Sequence, residues 1–99
     1  MVAQVNANKE DPMAFLLVRH KVKDFAKWKR AYDGHAPARR KAALRQKALL
    51  RSVRNPKDVL ILFQAASLSK AKAFTSSANL RKVMKEAGVV GKPEISFLK

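Results

Sequence analysis

The stretch VRHKVKDFAKWKRAYDGH, from Val18 to His35, holds both histidines of the chain, its one tryptophan and its one tyrosine. These side chains, with Arg39 just beyond them, are where this sequence could do chemistry. His20 is a candidate base, because an imidazole near its ordinary pKa of ~6.5 can take a proton from an acidic phenol or enol. The competing reading makes it a core histidine bonded to the backbone or to Asp24. Tyr32 is the second candidate catalytic residue, a hydroxyl able to donate to a bound carbonyl or phenolate. Trp28 suits the wall of a partly wet cleft, since it has an apolar body and one N–H. His35, beside Gly34 and Pro37, would stand at the rim of such a cleft, and Arg39 could clamp an anionic substrate. The chain has no cysteine, so thiolate catalysis and cysteine-ligated metal are excluded. Two histidines with only Asp24 or Asp33 nearby make a poor ligand set. The expectation is therefore no metal and no cofactor.

The elements that must position these residues are legible from periodicity. AFLLVRHKV, Ala14 to Val22, is rich in β-formers, and its alternation puts Leu16, Val18, His20 and Val22 on one face and Phe15, Leu17, Arg19 and Lys21 on the other. Asp24 can cap a helix on which Phe25, Trp28 and Tyr32 recur at helical spacing. Gly34 and Pro37 predict a bend or break near His35, followed by a short helical continuation. Leu44 to Arg54 has high helix propensity, but its alternation and the following NPKD turn signal favour a strand that pairs with VLILFQAA, Val59 to Ala66. Ser67 or Ser69 can cap a second helix reaching to Ala87, with Ala71, Phe74, Leu80, Val83, Met84 and Ala87 inside and an irregularity at TSSAN. The last strand is expected from Glu94 to Lys99, entered through Gly91 and Pro93. The order is β-α-β-β-α-β, which predicts an α+β, ferredoxin-like four-stranded antiparallel sheet with both helices on one face.

With 99 residues, 47% of them hydrophobic, the chain can build one core. Residues 1–12 lack any apolar period and are expected to form a flexible leader before a single domain over residues 13–99. No stretch approaches the ~20 apolar residues of a membrane span, which predicts a cytoplasmic protein with no membrane partner. Lys and Arg number 22 against 7 Asp and Glu, a formal net charge of +15. Such a surface attracts polyanions, but the bases are dispersed and form no tail, so nucleic acid is expected to bind only weakly and without sequence preference.

Two helices cover one face of a four-stranded sheet, yet the strand at Val59 is apolar on both: Val59, Ile61 and Phe63 on one side, Leu60 and Leu62 on the other. A second copy packed face to face would cover the remainder, so a homodimer is expected.

The segments FLLVRHKVKDFAKWKRAYDGH, VRNPKDVLILF, LSKAKAF and LRKVMKEAGVVGKPEISFL together resemble the dimeric α+β barrel superfamily. The likeness is to its small stand-alone members related to antibiotic-biosynthesis monooxygenases and cyclases, and it covers residues 13–99. It implies a ferredoxin-like protomer whose sheet joins a partner's sheet into a barrel, with a cleft between sheet and helices in each subunit; the ligand site is expected between the sheet and the first helix. It also implies a small-ligand protein, with cofactor-independent monooxygenation or a cyclase-like reaction on an aromatic or polyketide-type substrate. The related oxygenases use a strand amide together with Trp, Tyr and Arg near the substrate; here the first strand has neither Asn nor Gln and carries His20. The alternatives are a non-catalytic nucleic-acid or polyanion binder and an assembly or regulatory module without chemistry.

Overall fold

A computed structural model describes residues 14–99; the expected leader and Met13 lie outside the described residues. Strand β1, Ala14–Val22, shows the expected alternation, with Ala14, Leu16, Val18, His20 and Val22 buried and Arg19 and Lys21 exposed. It runs antiparallel to neighbours on both sides, which makes it a central strand.

Helix α1, Phe25–Gly34, begins where the Asp24 carboxylate accepts the Lys27 N–H at 3.2 Å, satisfying one of the first-turn donors that have no partner inside a helix. It stops at His35, whose N–H reaches back to the carbonyls of Ala31 and Tyr32. Helix α2, Ala36–Lys41, starts at once with Pro37 in its first turn, where a missing N–H costs nothing. The expected break near His35 is thus a boundary between two helices.

Ala43 turns the chain at φ 60° into β2, Leu44–Arg51, which pairs with β3, Asp58–Ala65. β2 stops short of the expected Arg54, because Ser52 to Lys57 form the turn: Ser52 Oγ accepts the N–H groups of Arg54 and Asn55, and Asn55 Oδ1 accepts that of Lys57. The second helical crossover is also double. Helix α3, Leu68–Thr75, is capped by Ser67, and helix α4, Ala78–Glu86, by Ser77, so the irregularity at TSSAN is a new helix start.

Strand β4, Val89–Leu98, begins five positions earlier than the expected Glu94. Gly91 and Pro93 read as breakers, yet they sit inside the strand at a register shift opposite His20. β4 pairs with β1 alone, and an edge strand tolerates a residue that cannot donate. The sheet order is β2-β3-β1-β4, all antiparallel, the α+β ferredoxin-like arrangement with a doubled helix at each crossover.

The core fills the space between sheet and helices: Leu16, Val18, Val59, Ile61 and Phe63 from the strands meet Trp28, Ala71 and Ala87 from the helical layer. On the outer sheet face Leu60 and Leu62 are half-buried and Leu50 and Leu98 exposed.

Candidate functional site

Between the helical layer and the inner sheet face lies a cavity whose wall includes His20, Trp28, Tyr32, His35 and Arg39. The five side chains singled out by residue type therefore line one space. β1 delivers His20, α1 delivers Trp28 and Tyr32 one helical turn apart, the α1–α2 boundary delivers His35, and α2 delivers Arg39. The opposite wall was not anticipated. The ligand site is expected between the sheet and first helix, but Leu80, Val83 and Met84 of α4 and Phe74 and Thr75 of α3 close it from the other side. The cavity holds about 550 Å³ of space, counted out to its open mouth.

Its polar groups are few and unevenly satisfied. His20 is only 5% exposed, and neither Nδ1 nor Nε2 has a hydrogen-bond partner. The expected alternative, a histidine bonded to the backbone or to Asp24, does not match this geometry. The imidazole instead stands edge-on to Trp28, ring centroids 5.4 Å apart and planes at 76°. Burial pushes its pKa down to about 4, against a smaller upward pull from Asp58, which corrects the ordinary value assumed from sequence. His20 is thus a neutral imidazole with one donor and one acceptor at neutral pH. His35 Nε2 is likewise buried without a partner, and its ring lies 5.9 Å from Phe74. Burial, then the charge of Arg39, lowers its pKa.

Trp28, Tyr32 and Arg39 form a stack. The two rings are 4.9 Å apart and 23° from parallel, and the Arg39 guanidinium carbon sits 3.6 Å above the Tyr32 ring centre. Arg39 Nη1 donates to the Tyr32 carbonyl at 2.6 Å. Burial lowers the Arg39 pKa, yet a guanidinium remains charged. Tyr32 does not offer its proton to the cavity as expected: its hydroxyl donates to Gln46 Oε1 at 2.7 Å. Burial raises its pKa, only partly offset by Arg39, so it stays a phenol.

Gln46 is the residue that sequence reasoning missed. It lies on β2, on the inner face opposite Phe63. A register shift between Gln46 and Ala48 puts Leu44, Gln46, Leu49 and Arg51 on one face, whereas uninterrupted alternation would separate Gln46 from Leu49. The amide holds Tyr32, and through it the stack. Among the described residues no three His, Asp or Glu side chains converge to hold a metal ion.

No protein-family model matches the sequence, and no curated protein matches it. Solved structures do match. A protein from Bordetella bronchiseptica, assigned as an antibiotic biosynthesis monooxygenase, superposes with a TM-score of 0.73 at 16% identity over 90% of this chain and 97% of that one. Another so assigned, from Nitrosomonas europaea, gives 0.63 at 16% identity over 88% and 97%. SnoaB from Streptomyces nogalater, a cofactor-independent oxygenase, gives 0.67 at 10% identity over 87% and 90%. The chain shares the small ferredoxin-like α+β fold of these antibiotic biosynthesis monooxygenase structures.

Proposed function

We propose that this protein binds a small aromatic ligand in the inner cavity and oxygenates it without a cofactor. The observation that carries this reading is His20: two unpartnered ring nitrogens, almost fully buried, on the wall of a largely apolar cavity. A buried polar group without a partner costs roughly 1–3 kcal/mol, and a ligand that bonds to it recovers that cost. The fold shared with SnoaB supports the oxygenase part of the reading.

An oxygenase that works without a cofactor takes its electrons from the substrate. In the simplest balanced case an activated ring methylene loses a proton, and the resulting carbanion adds dioxygen and a proton to form a hydroperoxide. That intermediate breaks into a carbonyl and water. Dioxygen receives four electrons, one of its atoms stays in the product and the other leaves as water. In this scheme His20 accepts the substrate's proton and returns it to the peroxide. A pKa of about 4 in the empty cavity opposes proton uptake; the substrate anion that forms beside the ring favours the imidazolium and offsets that opposition. Trp28 and Tyr32 give the aromatic wall, and Gln46 fixes Tyr32.

The test is oxygen consumption with anthrone-type compounds, in the presence of a chelator and against the rate of spontaneous oxidation. Incorporation of one labelled atom from dioxygen, abolished in His20→Phe, is the expected result. Equal rates with wild type, variant and buffer would remove the oxygenase reading.

The assembly is proposed as a homodimer with the outer sheet face covered by a second copy. The half-buried Leu60 and Leu62 beside exposed Leu50 and Leu98 support it.

A further inference from the structure

Among the polar groups of the cavity, three that keep atoms available to a ligand are chemically unlike. At one place stands His20, with no charged group bonded to either nitrogen. A neutral imidazole offers one donor and one acceptor, which matches a hydroxyl, itself both donor and acceptor. At another stand His35 and Arg39, close in the chain and on the same cavity wall. His35 Nε2 has no partner, and only one amino group of the Arg39 fork is engaged by the Tyr32 carbonyl. A guanidinium with a free edge and an imidazole on the same cavity wall together match a carboxylate, which accepts from both. Val18, Ile61, Phe63, Leu80 and Met84 give the cavity its apolar wall.

We propose that the cavity takes an aromatic hydroxycarboxylate, with its hydroxyl bonded to His20 and its carboxylate held by His35 and Arg39. The ring system lies against the apolar wall between these ends. Burial, then the charge of Arg39, lowers the affinity of His35 for a proton, and it is Arg39 that supplies the positive charge meeting the carboxylate. The proposal rests on the reading of the cavity as a small-ligand site and does not depend on the oxygenation step.

Calorimetric titration of the full chain with hydroxynaphthoate, naphthol and naphthoate, and with the shorter series para-hydroxybenzoate, phenol and benzoate, tests it. In at least one series the doubly substituted ligand should bind about tenfold or more tighter than either parent, the size of one good charge-assisted contact. The methyl ester of that ligand should fall back to the affinity of the phenol, a control that leaves the protein untouched. Arg39→Gln should weaken the hydroxycarboxylate and spare the phenol, and His20→Phe should weaken both hydroxyl-bearing ligands and spare the simple carboxylate. General attraction to a +15 chain predicts instead that hydroxycarboxylate and simple carboxylate bind alike and that Arg39→Gln changes little. That result, or an ester as tight as the acid, overturns the proposal. Neutral anthrones bound and oxygenated without any carboxylate preference would overturn it while leaving the oxygenase reading in place. The predicted binding pattern with no oxygen consumption would do the reverse.

Discussion

Replacing His20 by Phe should make the empty protein more stable, not less. The substitution keeps a flat ring against Trp28 and removes two buried nitrogens that have no partner. Each such group costs on the order of 1–3 kcal/mol, so a gain of about 1–2 kcal/mol in denaturant unfolding is expected, together with loss of ligand binding. A loss of stability would assign His20 to the core instead. The same residue sets a pH dependence. Its folded pKa of about 4 lies below the ordinary 6.5, so the unfolded chain binds the proton more readily between those values. Stability from this group is complete above pH 6.5, falls as the pH drops through that window, and is fully lost below about 4. Integrated over the shift, the loss is about 3 kcal/mol at most. Unfolding curves collected from pH 8 downward should show this decline, and His20→Phe should remove most of it; the smaller part that survives belongs to His35, lowered in the same direction.

At the level of elements, the segment linking α2 to β2 holds a strained position. Ala43 has φ 60° without being glycine, and a side chain there costs roughly 1–2 kcal/mol. Ala43→Gly should relieve that strain at some cost in chain entropy, for a net gain of about 0.5–1 kcal/mol, read as a rise in Tm of a few degrees. The opposite sign is expected at the start of α1. Asp24→Ala removes the acceptor for the Lys27 N–H and should cost about 1 kcal/mol. Because α1 carries Trp28 and Tyr32, loosening its first turn should also weaken ligand binding, whereas Ala43→Gly, remote from the cavity wall, should not.

For the whole molecule, the uncovered sheet face and the charge make separate predictions. A homodimer would scatter light as about twice the chain mass at micromolar concentration. Leu62→Lys, central on the outer face opposite Leu17 and Ala48, should give monomer or aggregate, because an unpaired charge in a packed interface is expensive. A folded wild-type monomer would rule the dimer out. The net charge of +15 should retain DNA or RNA on a column at low salt and release both near 0.15 M, where the screening length is ~8 Å. Nanomolar binding to one sequence at that salt would favour the nucleic-acid alternative.

The sequence by itself determined what depends on neighbours along the chain. Alternation over Ala14–Val22 placed His20 inward, the spacing of Phe25, Trp28 and Tyr32 gave a helix with an aromatic inner face, and Asp24 was readable as its cap. Even the double-sided apolarity of Leu60 and Ile61 was visible without coordinates. Tertiary structure decided the rest, wherever a distant segment changed a local rule. Gly91 and Pro93 look like breakers, yet β4 runs through them because its ladder partner is on one side only. Gln46 reaches Tyr32 because a register shift against β3 turns that part of β2, and alternation alone cannot reveal such a shift. His20 reads as an ordinary base until Trp28 and the helical layer strip it of water and drive its pKa to about 4. Periodicity is written in the chain; desolvation and register belong to the packed molecule, and those two set the chemistry of this cavity.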